Sequence, residues 1–240
     1  MICDAHVHFG PDTLVEEVIA ISDLERYIEK FSVRKLMAFA SNAEIDKVNA
    51  DLIKYSRTHK EIYALMRMTP SNVSWCKQNL PKLLDDKIVG IKYHPSIDKV
   101  KVTDPVFSDV FDILHDKGAI ALIHTGRWLE MASYEFAIEI AKSYPKLRVV
   151  MAHMGGNELQ NAKAAIENSK GIDNLWLETS NCRIPSVIRW AVRDLGSKRV
   201  LLGSDIPWGT MSANLATVKE SLTNETDIQN IIHDNLDKMI

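Results

Sequence analysis

Short apolar runs alternate along this chain with segments of helical periodicity. Runs rich in Val, Ile, Leu and Met occur at about 2–9, 34–40, 62–69, 88–94, 119–124, 148–153, 174–179 and 199–205. Between them, apolar residues recur every three to four positions, as in residues 43–58 and 105–117. Eight strands that each precede a helix predict an α/β fold in which a parallel sheet closes into a (β/α)8 TIM barrel. Strands that are apolar on both faces fit a sheet covered on both sides.

The length of the chain fits one such barrel. It has 240 residues, and barrels of this class commonly need about 250. We therefore expect a single domain over residues 1–240, with short loops and an open pocket for a small substrate. An open doubly wound sheet is the alternative. It is disfavoured because it needs no eighth strand and because no GxGxxG sequence follows the first strand.

Composition and charge exclude several function classes. Twenty-nine basic and thirty-two acidic residues are interspersed and leave a net charge of −3, so neither nucleic acid nor an anionic membrane is an expected partner. No apolar run approaches the roughly 18 residues of a membrane span, and the N-terminus does not resemble a secretory signal. We therefore expect a cytoplasmic protein. Its three cysteines, Cys3, Cys76 and Cys182, lack CxxC spacing and are expected to be reduced thiols.

Four of the apolar runs end in residues that bind metals: His6 and His8, His124, His153 and Asp205. Residues two apart on a strand point to the same side, so His6 and His8 can bind one ion together. An isolated His-x-His pair is weak evidence for a metal site. Parallel barrel strands, however, bring their carboxyl ends together, and three further ligand types at strand ends predict a metal site at that end of the barrel.

Six motifs carry a family resemblance. They are DAHVH at 4–8, GIKYHP at 90–95, IHTG at 123–126, MAHMGG at 151–156, LETS at 177–180 and LGSDIP at 202–207. In this order they resemble the amidohydrolase superfamily, and most closely the amidohydrolase-related family that includes aminocarboxymuconate semialdehyde decarboxylase. The segment 231–236 is similar to that family's last helix. The resemblance implies a metal-dependent hydrolase or decarboxylase barrel.

The resemblance also implies residue roles. His6, His8, His124 and Asp205 would hold one divalent ion and leave a position open for water. Zinc is the expected ion, with Mn²⁺ or Fe²⁺ as alternatives. A bound metal lowers the pKa of its water from about 15.7 toward about 7. His153 would contact that water without binding the ion and would pass protons, and Asp205 would also accept a proton.

Several assignments stay open at this point. His153 could instead be a fifth ligand or an ordinary residue of the barrel mouth. Lys92 occupies the strand on which binuclear members of the superfamily carry a carboxylated lysine that bridges two metals, but an ion-paired lysine in the pocket is the preferred interpretation. His94 has the same strand parity as Lys92 and either faces the substrate or only ends the strand. The remaining histidines, His59, His115 and His233, are expected to be solvated.

The sequence also contains candidate substrate contacts. Arg127 and Arg67 follow strands five and three, and either could bind a substrate carboxylate through its planar fork, although structural ion pairs explain them equally well. Lys92 would also lie at the substrate. Trp208 and Trp128 could form an apolar wall. Ser180 and Cys182 follow strand seven and could touch the substrate.

The expected function is a mononuclear metal-dependent hydrolase that acts on a small carboxylated amide, lactone or ester. The first alternative is a nonoxidative decarboxylase with the same ligands. The second, from a different class, is a non-catalytic barrel that binds a metal or metabolite. The sequence leaves open whether the protein forms a homodimer whose second subunit covers the pocket.

Overall fold

The computed structural model of the chain describes residues 1–126, 128–156 and 158–240. Within these residues the strands form one nine-stranded sheet in the order β2-β1-β3-β4-β5-β6-β7-β8-β9. Their bounds are β1 Ile2–Asp12, β2 Glu17–Ile19, β3 Val33–Ala40, β4 Ile62–Met68, β5 Ile88–Tyr93, β6 Ile120–Ile123, β7 Arg148–Met151, β8 Leu175–Glu178 and β9 Val200–Leu201. All neighbours pair in parallel except β2, which pairs antiparallel with the end of β1.

The segment that follows β9 closes the parallel sheet onto β1. Ala5 N donates to Leu202 O at 2.9 Å, Asp205 N donates to His6 O at 2.8 Å, and His8 N donates to Ile206 O at 3.1 Å. These bonds join the first parallel strand to the last. The predicted TIM barrel of eight parallel strands is therefore confirmed.

Helices cover the outside of the barrel. Those in the described ranges are α1 Ile21–Phe31, α2 Ile45–Thr58, α3 Val73–Leu83, α4 Pro95–Asp98, α5 Ser108–Asp116, α6 Leu129–Ala132, α7 Tyr134–Ser143, α8 Leu159–Asn168, α9 Pro185–Leu195, α10 Met211–Ser221, α11 Glu225–Gln229 and α12 Asn235–Met239. Shorter 3-10 turns lie at Pro105–Phe107, Ala152–Gly155 and Ser197–Arg199, and a π turn lies at Asn230–Asp234. None of the helices in the described part of the chain is long and apolar enough to cross a membrane.

The core has two parts because the strands are apolar on both faces. One cluster fills the space between sheet and helices, and a smaller one fills the barrel interior. Leu236 and Met239 of α12 belong to the interior cluster, where they pack with Cys3 and Met37. The last helix therefore closes the amino end of the barrel, and the carboxyl ends of the strands remain available for a site.

Several predicted boundaries differ from the observed ones. β1 continues to Asp12 and pairs with β2, a strand that the apolar pattern did not predict, because two of its three residues are exposed. β7 and β9 stop at Met151 and Leu201, before the predicted ends at 153 and 205. The predicted helix over 105–117 is a 3-10 turn followed by α5, since Pro105 opens the turn.

A candidate metal centre at the carboxyl end of the barrel

Two histidines of β1 converge on one carboxylate. His6 and His8 point into the barrel, whereas Val7 between them packs in the outer core. The Nε2 atoms of His6 and His8 each lie 3.0 Å from Asp205 Oδ1. Donor atoms about 2.0–2.1 Å from a tetrahedral ion lie about 3.3 Å apart. The three side chains therefore stand at nearly the spacing of ligands around one ion.

Anchoring contacts select the free nitrogen of each imidazole. His6 Nδ1 lies 2.9 Å from Glu178 Oε2, and His8 Nδ1 lies 3.2 Å from Ser41 Oγ. A metal-binding histidine usually donates its other ring N–H to such a partner, which fixes the tautomer and the ring orientation. Both contacts leave Nε2 available on the side of Asp205.

The other two histidines form a pair beside this group. His153 Nδ1 lies 2.8 Å from Ser180 Oγ, and His153 Nε2 lies 3.0 Å from His124 Nδ1. His124 stacks on His94, with ring centroids 3.7 Å apart. Donor atoms of His6, His153 and Asp205 all lie within 4.8 Å of one another. The arrangement thus brings His153 into the donor cluster, and His124 lies one contact further out.

His124 nevertheless has a free ring nitrogen that could bind a metal ion. Its Nε2 is buried and has no hydrogen-bond partner among the described residues. A buried polar atom without a partner costs free energy unless an ion or water satisfies it. Together with the neighbouring nitrogens and the carboxylate, this donor set suits a divalent transition ion.

The electrostatics favour the neutral, metal-binding imidazole at His8, His124 and His153 but not at His6. Burial and Lys92 lower the pKa of His6, but the carboxylates of Asp205 and Glu178 outweigh them and raise it. Burial lowers the pKa of His153 to about 4, and it lowers the pKa of His8 and His124 below the ordinary value. Burial raises the pKa of Asp205, but the contacts with His6 and His8 outweigh it and hold that pKa well below its usual range. Neutral imidazoles and an ionised carboxylate are the protonation states that bind metal.

Lys92 lies beneath the cluster. Its Nζ is 3.2 Å from His6 Nε2 and 4.6 Å from the centre of the Phe39 ring. Burial lowers the pKa of the amine to about 7. No carboxylate in the described ranges lies within ion-pair distance of this amine, so the ion pair expected for Lys92 is not seen.

Three residues of the site have strained backbone angles. His153, Asn181 and Asp205 all have left-handed backbone angles, with φ of 58°, 57° and 57°. Non-glycine residues rarely adopt this region, and such strain persists where the surroundings over-determine it, often at functional sites. Each of these residues lies in a turn just after a strand. The turns explain why β7 and β9 end earlier than predicted.

The cluster opens into a cavity of about 640 Å³. Polar groups form its inner end, and Leu14, Ile97, Ile184 and two tryptophans contribute apolar lining. The described lining residues are His8, Leu14, His94, Ser96, Ile97, His124, Trp128, His153, Asn181, Arg183, Ile184, Asp205 and Trp208. This volume lies within the range of small-molecule sites, about 300–1,000 Å³.

The model of the amidohydrolase family matches residues 3–235, which is nearly the whole chain. The chain belongs to the amidohydrolase family. A search of curated proteins finds no match. Solved structures show the same fold: 2,6-dihydroxybenzoate decarboxylase from Rhizobium has a TM-score of 0.77 at 12% identity, with 99% of this chain and 98% of that chain covered.

Two further decarboxylases are equally similar in fold to this amidohydrolase-family chain. 5-Carboxyvanillate decarboxylase from Sphingomonas paucimobilis has a TM-score of 0.75 at 13% identity, with 99% of this chain and 98% of that one covered. Dihydroxybenzoic acid decarboxylase from Polaromonas sp. JS666 has a TM-score of 0.75 at 13% identity, with 99% and 96% covered. Identities this low establish the shared fold alone.

Some of the residues predicted to contact the substrate line the cavity, and others do not. Trp208 and Trp128 line the cavity, and Trp208 Nε1 donates to Asp12 Oδ2 at 3.0 Å. Arg67 does not line it. Both of its terminal nitrogens lie 2.9 Å from Asp98, in the buried ion pair that was the alternative explanation. Arg127 lies outside the described residues.

Several residues of the site were not predicted from the sequence. Glu178 and Ser41 anchor the two histidines of β1, Asn181 Nδ2 donates to Asp205 Oδ2, and Arg183 lines the cavity. Glu178 had a usable signal, because it ends an apolar strand in the same way as the predicted ligands. Ser41 had a similar signal, because it directly follows β3. Asn181 and Arg183 lie in a loop without any periodic pattern.

Proposed function

We propose that this amidohydrolase-family protein is a metal-dependent nonoxidative decarboxylase of a small aromatic carboxylate. The observation that carries the proposal is the cavity itself. The donor cluster of His6, His8, His153 and Asp205 lies at the inner end of a cavity whose described lining includes Trp128 and Trp208. Aromatic walls suit a planar ring, which they hold by stacking or edge contacts.

Proteins of the same fold support the choice of reaction. The structures similar to this chain include a 2,6-dihydroxybenzoate decarboxylase with 2,6-dihydroxybenzoate bound, and a dihydroxybenzoic acid decarboxylase with manganese and 2-nitroresorcinol bound. Those ligands are small aromatic compounds. They favour decarboxylation over hydrolysis as the first candidate here, and they make manganese a candidate ion beside zinc.

In this proposal, some residues bind the metal ion and others transfer the proton. His6, His8, His124 and Asp205 would hold the ion, which when bound orients the substrate and offsets its negative charge. Decarboxylation breaks the bond between ring and carboxylate carbon, leaves its electron pair on the ring carbon and forms a C–H bond there. Carbon dioxide leaves, and one proton is consumed. His153 and Asp205 line the cavity and would carry that proton, with Ser180 fixing the ring of His153.

Hydrolysis of a small carboxylated amide, lactone or ester is the second candidate. It is retained because the same pair, His153 and Asp205, could accept the proton of an attacking water. The two reactions differ in their products, since hydrolysis adds water to an acyl carbon and forms no new C–H bond.

Product analysis in D₂O separates the two candidates. The metal-loaded protein would be incubated with 2,6-dihydroxybenzoate, 5-carboxyvanillate and a panel of lactones, amides and esters, and the products followed by NMR. Decarboxylation predicts carbon dioxide and a ring carbon bearing deuterium. Acid release from the panel without carbon dioxide would replace the first proposal by the second. Metal binding with no turnover of any compound would favour the non-catalytic barrel.

A further inference from the structure

Arg183 is a cation of the cavity that the proposed reaction does not use. It lines the same cavity as His8 and Asp205, and it is exposed. Among the described residues it makes no hydrogen bond and no ion pair. Arg67, by contrast, pairs with Asp98 through both of its terminal nitrogens. An unpaired guanidinium at the edge of an apolar cavity is available to bind an anionic group through two parallel hydrogen bonds.

The loop that carries Arg183 is fixed on either side. Asn181 N donates to Asn214 Oδ1 at 3.1 Å, and Cys182 N donates to Thr179 O at 3.0 Å with its side chain buried. Ile184, on the other side, lines the cavity just before α9 begins at Pro185. The base of the arginine is therefore held in place, which reduces the entropy lost when its side chain binds a ligand.

The charge of the cavity points to the kind of ligand. Asp205 and Arg183 are the two formally charged side chains among its described lining residues, and their charges cancel. Glu178 and Lys92 contact His6 behind the donor cluster and carry opposite formal charges. A divalent ion at the cluster would therefore leave the site with a net positive charge, which an aromatic ligand with one carboxylate offsets only in part. A second anionic substituent on the ligand would offset the remaining positive charge.

We infer that Arg183 binds a second anionic group of the substrate, so that the substrate is an aromatic dianion. The inference rests on the proposed function for the position of the reacting carboxylate. That carboxylate would lie at the donor cluster, and the second group would lie at the rim, between Arg183 and the apolar wall. Arg183 is then a specificity-determining residue, and it takes no part in bond breaking.

Binding measurements test this without any turnover. Calorimetric titration of the metal-loaded protein would compare benzoate with benzene-1,2-, 1,3- and 1,4-dicarboxylate. We expect at least one dicarboxylate to bind about tenfold more tightly than benzoate, because a charge-assisted contact at a partly solvated site lies at the low end of its range. Arg183→Gln should remove that preference and weaken benzoate binding much less than dicarboxylate binding, and Arg183→Lys should restore part of the preference.

A matched control and the contrary outcomes complete the test. Arg189→Gln alters another arginine of the same segment, which contacts Ser186 and does not line the cavity, and it should leave all four affinities unchanged. Equal weakening of benzoate and dicarboxylate in Arg183→Gln, or no dicarboxylate preference in the unmodified protein, would overturn the inference. If the preference is present but no carbon dioxide is released from any aromatic acid, the decarboxylase proposal fails while the anion site stands.

Discussion

At the scale of single residues, the site depends on contacts that fix each imidazole. Glu178 is buried and accepts from His6 Nδ1, which directs His6 Nε2 toward Asp205. Gly203 makes room for this carboxylate, because a Cβ there would lie 1.9 Å from Glu178 Oε1. The glycine before Ser204 and Asp205 is thus a packing requirement of the metal centre.

Glu178→Gln should weaken metal binding about 10–100-fold, the usual effect of removing a partner behind a ligand histidine. The amide retains the shape of the side chain and loses the charge that orients His6. Competition with a chromophoric chelator measures the affinity. Glu167→Gln, on the exposed face of α8, serves as the control and should bind metal normally. Unchanged affinity in Glu178→Gln would show that His6 is oriented by other contacts.

His153→Asn should retain the metal and lower kcat about 10²-fold or more, because proton transfer by a positioned group contributes about that much. Elemental analysis and steady-state kinetics measure the two effects. His115→Asn, on α5 and away from the cavity, is the matched control. Since His153 lies within the donor cluster, loss of the ion in His153→Asn would make it a ligand.

The residue scale also shows where sequence reasoning ends. His6 and His8 could be paired from their spacing alone, since strand geometry fixes which side they face. Glu178 could not be assigned to His6, because the two are 172 positions apart and only the closed barrel brings them together. Arg67 and Arg183 look alike in a sequence, and only burial separates the ion-paired arginine from the free one.

At the scale of elements, the strands supply positions and the turns after them supply reactive groups. His124 follows β6 directly, whereas His153 and Asp205 lie in turns beyond β7 and β9. Apolar content predicted all eight barrel strands. The same pattern predicted β7 and β9 to be longer than they are, because apolar residues continue into the buried turns after them. It did not predict β2, whose residues are mostly exposed.

The buried ion pair between β4 and α4 provides a test at this scale. Asp98→Ala leaves the guanidinium of Arg67 buried without its partner, which should cost about 3–5 kcal/mol of unfolding free energy. The double variant Arg67→Met with Asp98→Ala should recover most of that loss. Denaturant titration measures both. If Arg67→Met with Asp98→Ala folds normally but no longer binds aromatic carboxylates, Arg67 is a substrate ligand after all.

At the scale of the whole molecule, closure of the barrel creates the centre. Asp205 N donates to His6 O at 2.8 Å, so the bonds that close the sheet also place the carboxylate of Asp205 beside the histidines of β1. The fold class followed from the alternation of strand and helix along the sequence. The spacing of the donor atoms did not follow from that alternation, because it depends on how the last strand meets the first.

Removal of the ion should therefore lower the stability of the whole barrel. A metal that binds the folded chain alone stabilises it by about 2.7 kcal/mol at a hundredfold excess over Kd. We expect a clear fall in Tm after chelation and recovery on addition of zinc or manganese, followed by scanning calorimetry. His8→Ala should fold without showing either change. An equal response to metal in His8→Ala would place the stabilising ion elsewhere.

The central claim is that one divalent ion binds where His6, His8 and Asp205 converge. Anomalous diffraction at the zinc edge, from crystals grown with zinc, tests it most directly. The account predicts one peak per chain at this position, about 2.0–2.2 Å from the Nε2 atoms of His6 and His8, from a nitrogen of His124 and from an oxygen of Asp205. Two peaks bridged through Lys92, or no peak at these residues, would contradict it.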